Sequence, residues 1–289
     1  MKRMFIVLLT VLMVAVCFCA CGTSVKRVDY TIYQLGAKGE SVEIDGKTVT
    51  YHNADALQFE FDVRVAEFSS KEAPERMTVH FGEKEVVFSY TKSTHTQFSN
   101  SKNAGLKKLG ERNLYTVDEP NLSAQAEFDA NTGNLVYYYQ SVNNPAEGDF
   151  TVEDAKEQAA MFIHSLYGND ALDGYTLDVA QLGEMLGEKE IVINYRKYVS
   201  GYPTCEYIRV WFDLEGNITA FNATTYGVFK AVEEKISEHR IEDAEKELLS
   251  SLPEGASVQD DRKLLVDAAS GICYLEVAAD GKVYYINIT

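Results

Sequence analysis

Five histidines, His52, His80, His95, His164 and His239, are the side chains best placed to move protons or bind a transition metal near neutral pH. Their spacing supports neither. No pair forms the His-Glu-x-x-His arrangement that sets two imidazoles on one helix face, and none has zinc-ligand spacing. His80 alternates with Val79 and Phe81 and is expected on the wet face of a strand; His164 falls opposite the apolar stripe of its helix. Asp129-Ala-Asn131-Thr-Gly133-Asn134 has the outline of a calcium loop, but its glycine comes one place early and Gln140 stands where a bidentate Glu belongs. A type I turn with a bulge, capped by Asp129, accounts for the same residues. Cys205 and Cys273 are the cysteines beyond residue 21. A disulfide between them is chemically allowed outside the cytoplasm; two buried reduced thiols are the alternative. Tyr137-Tyr-Tyr139 and Trp211 could stack on a sugar, although alternation turns Tyr138 away and strand tyrosines also pack for their own sake. Neither a complete Gly-x-x-x-x-Gly-Lys-Ser/Thr phosphate loop, a Gly-x-Ser-x-Gly elbow nor a GxGxxG is present. The expectation is a non-enzyme with no catalytic residue, metal or cofactor.

The first twenty residues read as a targeting segment. Lys2 and Arg3 give a positive start, and Phe5 to Val16 is an apolar run too short to span a bilayer comfortably. Phe18-Cys-Ala-Cys21-Gly22 then resembles a bacterial lipobox, with Ala20 before the acceptor and a small residue after it. It departs from that pattern at Phe18 and Cys19. Cys17 and Cys19 are alternative acceptors, but neither follows a small residue, so Cys21 is the expected lipidation site. Two acyl chains there would anchor the chain stably. The expected location is the extracytoplasmic face of a bacterial cell membrane.

The elements that would carry any site divide the chain. Acidic residues number 44 against 27 basic, a net charge of −17. That excludes a nucleic-acid partner, which needs a positive face, and disfavours lying flat on anionic lipid. Residues 21–28 read as a tether and 29–145 as a β-rich domain. Asp45-Gly46 marks a hairpin. Leu57, Phe59, Phe61, Val63 and Val65 alternate with polar residues in the cleanest strand pattern of the chain. Further hairpins are expected around 82–84 and Asp129–Gly133, with a polar loop holding at most one helical turn over Ser99–Gly110 and a linker at 143–149.

Thr151 and Asp154 form a capping-box signature before an apolar stripe of Ala155, Ala159, Phe162, Ile163 and Leu166, and Gly168 closes the helix. After a polar loop, strands follow at Ile191–Tyr195 and Ile208–Phe212, with a return strand from Ile218. Ile241-Glu-Asp-Ala244 echoes Val152-Glu-Asp-Ala155, and Ala279-Asp280-Gly281 echoes Phe212-Asp213 before Gly216. Two copies of one unit, 150–231 and a shorter 237–289, is the economical reading. At Thr151-Val-Glu-Asp-Ala155, Tyr195-Arg196, Gly201-Tyr-Pro203 and Phe212-Asp-Leu-Glu-Gly216 the chain resembles the PepSY domain and related propeptide-like modules of secreted bacterial peptidases. The resemblance implies an α+β fold of antiparallel sheets, each packed by a helix, behind the β-rich front domain. It further implies a non-catalytic binding or regulatory role toward an envelope peptidase or a sensor, and it brings no catalytic residue. A glycan- or peptide-binding surface protein, or a regulator of a cell-wall sensor kinase, are the alternatives.

Overall fold

The computed structural model describes residues 73–82, 84–119, 122–141, 147–185, 188–232 and 236–289, with strand segments at 32–35, 41–44, 47–50 and 67–68. Cys21, His52 and the strand expected at 57–65 lie outside the described residues.

The chain is α+β, with strands predominating. The front elements are β1 (Ile32–Leu35), β2 (Ser41–Ile44), β3 (Lys47–Thr50), β4 (Glu67–Phe68), β5 (Arg76–Phe81), β6 (Lys84–His95), α1 (Ala104–Lys108), β7 (Glu111–Glu119), β8 (Leu122–Asp129) and β9 (Leu135–Ser141). Next come α2 (Val152–Tyr167), β10 (Tyr175–Met185), β11 (Glu188–Val199), β12 (Tyr202–Phe212) and β13 (Ile218–Asn222). The chain closes with α3 (Glu238–Ser251), β14 (Val258–Val266), β15 (Cys273–Ala279) and β16 (Lys282–Asn287).

An antiparallel meander runs β5-β6-β7-β8-β9 and continues through β13-β12-β11-β10. Tyr137, Tyr138 and Tyr139 of β9 pair with Asn222, Phe221 and Ala220 of β13, so hydrogen bonding crosses the expected boundary near residue 145. One core serves both sides of it: Phe88, Tyr115, Phe128 and Tyr138 from the front share it with Phe162, Ile193, Val210 and Phe221. Phe81 stacks on Tyr138 at 4.3 Å and Phe162 meets Phe221 edge-on at 5.4 Å. A second core gathers Ile241, Ala244 and Leu248 of α3 against Leu264, Leu275, Val277 and Ile286, with Phe98, Leu106 and Phe229. Its sheet is β1-β16-β15-β14, and it meets the long sheet through a single parallel bridge, Thr204 to Leu264. The short β1, expected in the front domain, therefore belongs to the rear sheet.

The helices follow local chemistry. Thr151 Oγ1 accepts from the Asp154 backbone N–H at 3.2 Å, and Asp154 Oδ2 accepts from the Thr151 N–H at 3.1 Å, which satisfies two orphan donors reciprocally. Ala155, Ala159, Phe162 and Ile163 are buried; the two alanines let α2 lie close to β10 and β11. The helix α3 begins three residues earlier than Ile241, because Ser237 caps it through the Arg240 N–H.

Candidate functional site

Buried charge in this chain is committed to architecture. Arg112 Nη1 donates to Asp129 Oδ2 at 2.6 Å, and Nη2 donates to the Thr224 carbonyl. The other oxygen of Asp129 accepts from Asn131 N, Thr132 N and Thr132 Oγ1. The calcium-loop outline is thus a capped turn whose carboxylate is occupied by protein donors. Burial pulls Arg112 below its ordinary value while Asp129 opposes the shift. Glu206, on the core face of β12, accepts from Tyr175 Oη and Gly227 N at Oε1 and from Phe229 N at Oε2. That one side chain fastens the connector after β13, whose Val228 and Phe229 enter the rear core. Burial raises the Glu206 carboxyl, and its hydrogen bonds oppose it.

The histidines are scattered. His80 lies exposed on β5 near Glu85, His95 lies on β6, His164 Nδ1 sits 3.1 Å from the Gly168 carbonyl at the end of α2, and exposed His239 sits 3.3 Å from Asp243. Among the described residues no three His, Cys, Asp or Glu side chains gather to hold a metal ion. Cys205 and Cys273 are free thiols. The Val266 backbone N–H reaches the Cys205 sulfur, and Val266 itself pairs across with Cys273, so β14 separates the two strands. They occupy the third strand after α2 and the second after α3. Burial pushes Cys205 up to about 11 and Cys273 well above its ordinary value, which suppresses the nucleophilic thiolate. An open groove of about 500 Å³ is lined by Glu147, Asp149, Phe150, Asp154, Leu214 and Glu215. Its acids face solvent, and Asp154 is taken by the helix cap.

Two surfaces stand apart from this. The first is the edge strand β10, which among the described residues pairs on one side only, with β11. A register shift between Leu177 and Val179 bulges at Asp178, so Leu177, Ala180 and Leu182 all face Tyr195, Ile193 and Ile191 across the pair. These partners line the core under α2. The apolar row therefore runs out past the core to an open edge, where Leu177 is 38% and Leu182 53% exposed. On α2 itself Met161 is 65% exposed. The second surface is the opposite face of the long sheet. Tyr138 points into the core at 1% exposure while Tyr139 stands out at 37%. Tyr137 and Tyr139 share that outer face with Asn222, Ala220, Arg209 and Trp211 by register. Sequence reasoning missed β10: the bulge breaks its alternation, and Tyr175–Met185 reads as a polar loop. The clue in hand was Leu177, Val179 and Leu182 within a run free of proline.

No protein-family model matches the chain, and no curated protein does. Among solved structures, the Bacillus megaterium YpeB C-terminal domain is similar at a TM-score of 0.34 and 14% sequence identity, over 58% of this chain and 73% of that one. This is a distant structural neighbour.

Proposed function

We propose that this chain is a non-catalytic binding protein of the bacterial envelope, held at the membrane by lipid on Cys21, which regulates an envelope peptidase or sensor by taking up a strand of that partner along β10. The observation that carries this reading is the open edge with Leu177 and Leu182 beside α2. An added strand would gain main-chain hydrogen bonds along Val179–Met185 and bury the two leucines against its own side chains. A long edge with exposed apolar residues is otherwise an aggregation hazard, and natural sheets seldom leave one uncovered without a use.

Within this reading, 150–231 and 237–289 are two PepSY-like units. Supporting that kinship, each opens with a Ser/Thr-capped helix followed by an antiparallel meander, four strands in the first and three in the second. Each unit also holds an Asp-capped turn, at Asp213 in the first and Asp267 in the second. The fusion of the front strands to the first unit fits a single rigid platform behind the edge.

The test is co-purification of the tagged full chain from detergent-extracted membranes. A Leu177→Arg/Leu182→Arg double variant should lose a defined peptidase or sensor that the parent retains, at unchanged thermal stability. Retention of the same partner by the double variant would refute the edge as its site. A Cys21→Ser variant should leave the membrane fraction; if it stays, the lipid tether is wrong.

A further inference from the structure

On the outer face of the long sheet, β9, β13 and β12 place six side chains in two rows. Tyr139, Ala220 and Trp211 form one row and Tyr137, Asn222 and Arg209 the other. Strands lie about 4.8 Å apart and a two-residue step is about 6.8 Å, so the array covers roughly 10 Å by 7 Å. Ala220, the smallest of the six, lies between Tyr139 and Trp211.

Arg209 is the unusual member. Its Nε donates to Asn194 Oδ1 at 3.1 Å, and Asn194 in turn donates to Asp178. Its guanidinium lies over Tyr207 at 5.0 Å and Trp211 at 5.6 Å. The group is thereby held in one orientation by a fully buried Asn194 and two rings. Yet among the described residues no carboxylate lies within ion-pair distance of it, in a chain with 44 acidic residues. Three other strand arginines are paired: Arg112 with Asp129, Arg196 with Asp178, Arg262 with Glu245. The two Nη groups of Arg209 form an unused fork of the shape that binds carboxylates bidentately.

We propose that this face binds a carboxylate-bearing glycan, with sugar rings stacked on Tyr139 and Trp211 and an acidic substituent on Arg209. A peptide strand is disfavoured here because β9, β12 and β13 each have neighbours on both sides, so their backbone groups are spent in the ladder and only side chains are on offer. An apolar protein surface does not match Arg209, Asn222 and the tyrosine hydroxyls. Nucleic acid is excluded by the single unpaired cation and the net charge of −17. Sugar rings have apolar C–H faces for the aromatics and hydroxyls for Asn222 and the Tyr137 phenol, and the carboxylate supplies the missing partner of Arg209. The site lies on the sheet face opposite to Leu177 and Leu182 and does not depend on the β10 reading.

Trp211 is the one tryptophan of the chain, so its emission reports the site without labelling. The full chain in detergent is titrated with hexagalacturonate, which carries a carboxylate on every ring, and with uncharged maltohexaose. Saturable change in Trp211 emission is expected with hexagalacturonate at a dissociation constant of about 1 mM or tighter. Arg209→Gln should weaken it at least about tenfold, while the parent should bind maltohexaose at least that much more weakly. Tyr139→Phe keeps the ring and should bind like the parent, whereas Tyr139→Ala should lose binding at an unchanged urea midpoint. No saturable change with either sugar overturns the proposal, and so does hexagalacturonate binding that Arg209→Gln leaves intact.

Discussion

Replacing Glu206 with Gln tests whether one buried carboxylate holds the two cores together. The parent carboxylate accepts three hydrogen bonds: Tyr175 Oη and Gly227 N at one oxygen, Phe229 N at the other at 2.7 Å. An amide keeps one oxygen. If its NH₂ faces Phe229, one buried N–H loses its acceptor and meets another donor; in the opposite rotamer two donors are stranded. Stranding one buried backbone donor costs about 1–3 kcal/mol, so Glu206→Gln should destabilise by about 2 kcal/mol. Glu206→Ala strands all three and should cost more. Tyr175→Phe removes one side-chain donor, leaves both backbone contacts, and should cost about 1 kcal/mol. Urea denaturation followed by Trp211 emission is the assay, read as a fall in midpoint at constant slope. The pH dependence has a definite sign. Burial holds the folded Glu206 above its ordinary 4.5, so the folded state keeps a proton that the unfolded chain has lost. The associated stability is full below 4.5 and is lost as pH rises through the folded value. That component should vanish in Glu206→Gln. A Glu206→Gln variant within about 0.5 kcal/mol of the parent would refute the latch.

Asp129→Asn should cost about 3–5 kcal/mol in the same assay, because it leaves the Arg112 guanidinium buried without its counter-charge; a change under about 1 kcal/mol would mean that water already screens the pair. Thr151→Ala should cost about 1 kcal/mol by removing the α2 cap. Gly148→Ala should destabilise strongly, since its Cβ would lie 2.0 Å from the Leu214 carbonyl oxygen, where Phe150 N also docks; thermal melting checks both substitutions. Cys205 and Cys273 should resist a thiol reagent in the folded chain and react together on unfolding, as mass spectrometry of the adduct would show.

Much of the frame was legible because local signals agreed with the fold. The Thr151–Asp154 box, the Ala155–Ile163 stripe and the Ile208–Val210–Phe212 alternation were visible in the residues, since each needs only the short-range periods of helix and strand. What stayed hidden was long-range. Nothing local says that β9 pairs with β13, or that Ile32–Leu35 crosses to β16; such pairings join residues far apart in sequence. Asp213-Gly216 and Asp280-Gly281 look alike as strings, but the second is a two-residue hairpin with Asp280 and Gly281 both at positive φ. The Asp129 turn shares its form with Asp267–Gly271, with the same backbone bond from Gly N–H to Asp carbonyl. The two candidate surfaces were half visible: the tyrosine run and Trp211 stood out as residue types, but only register puts them with Arg209. β10 was concealed by its bulge, the same feature that aligns its leucines.

The edge-strand reading is tested most directly by photo-crosslinking in intact cells. A photoreactive residue at Gln181 of β10 should give one discrete protein adduct, identified by mass spectrometry as a peptidase or sensor, with the crosslink mapped to an extended segment of that partner. The same residue at Glu85, on the distant β5–β6 hairpin, should give none, and Leu182→Arg should abolish the Gln181 adduct. Equal adducts at both positions, or none at Gln181 while the chain is folded and membrane-bound, would contradict the account.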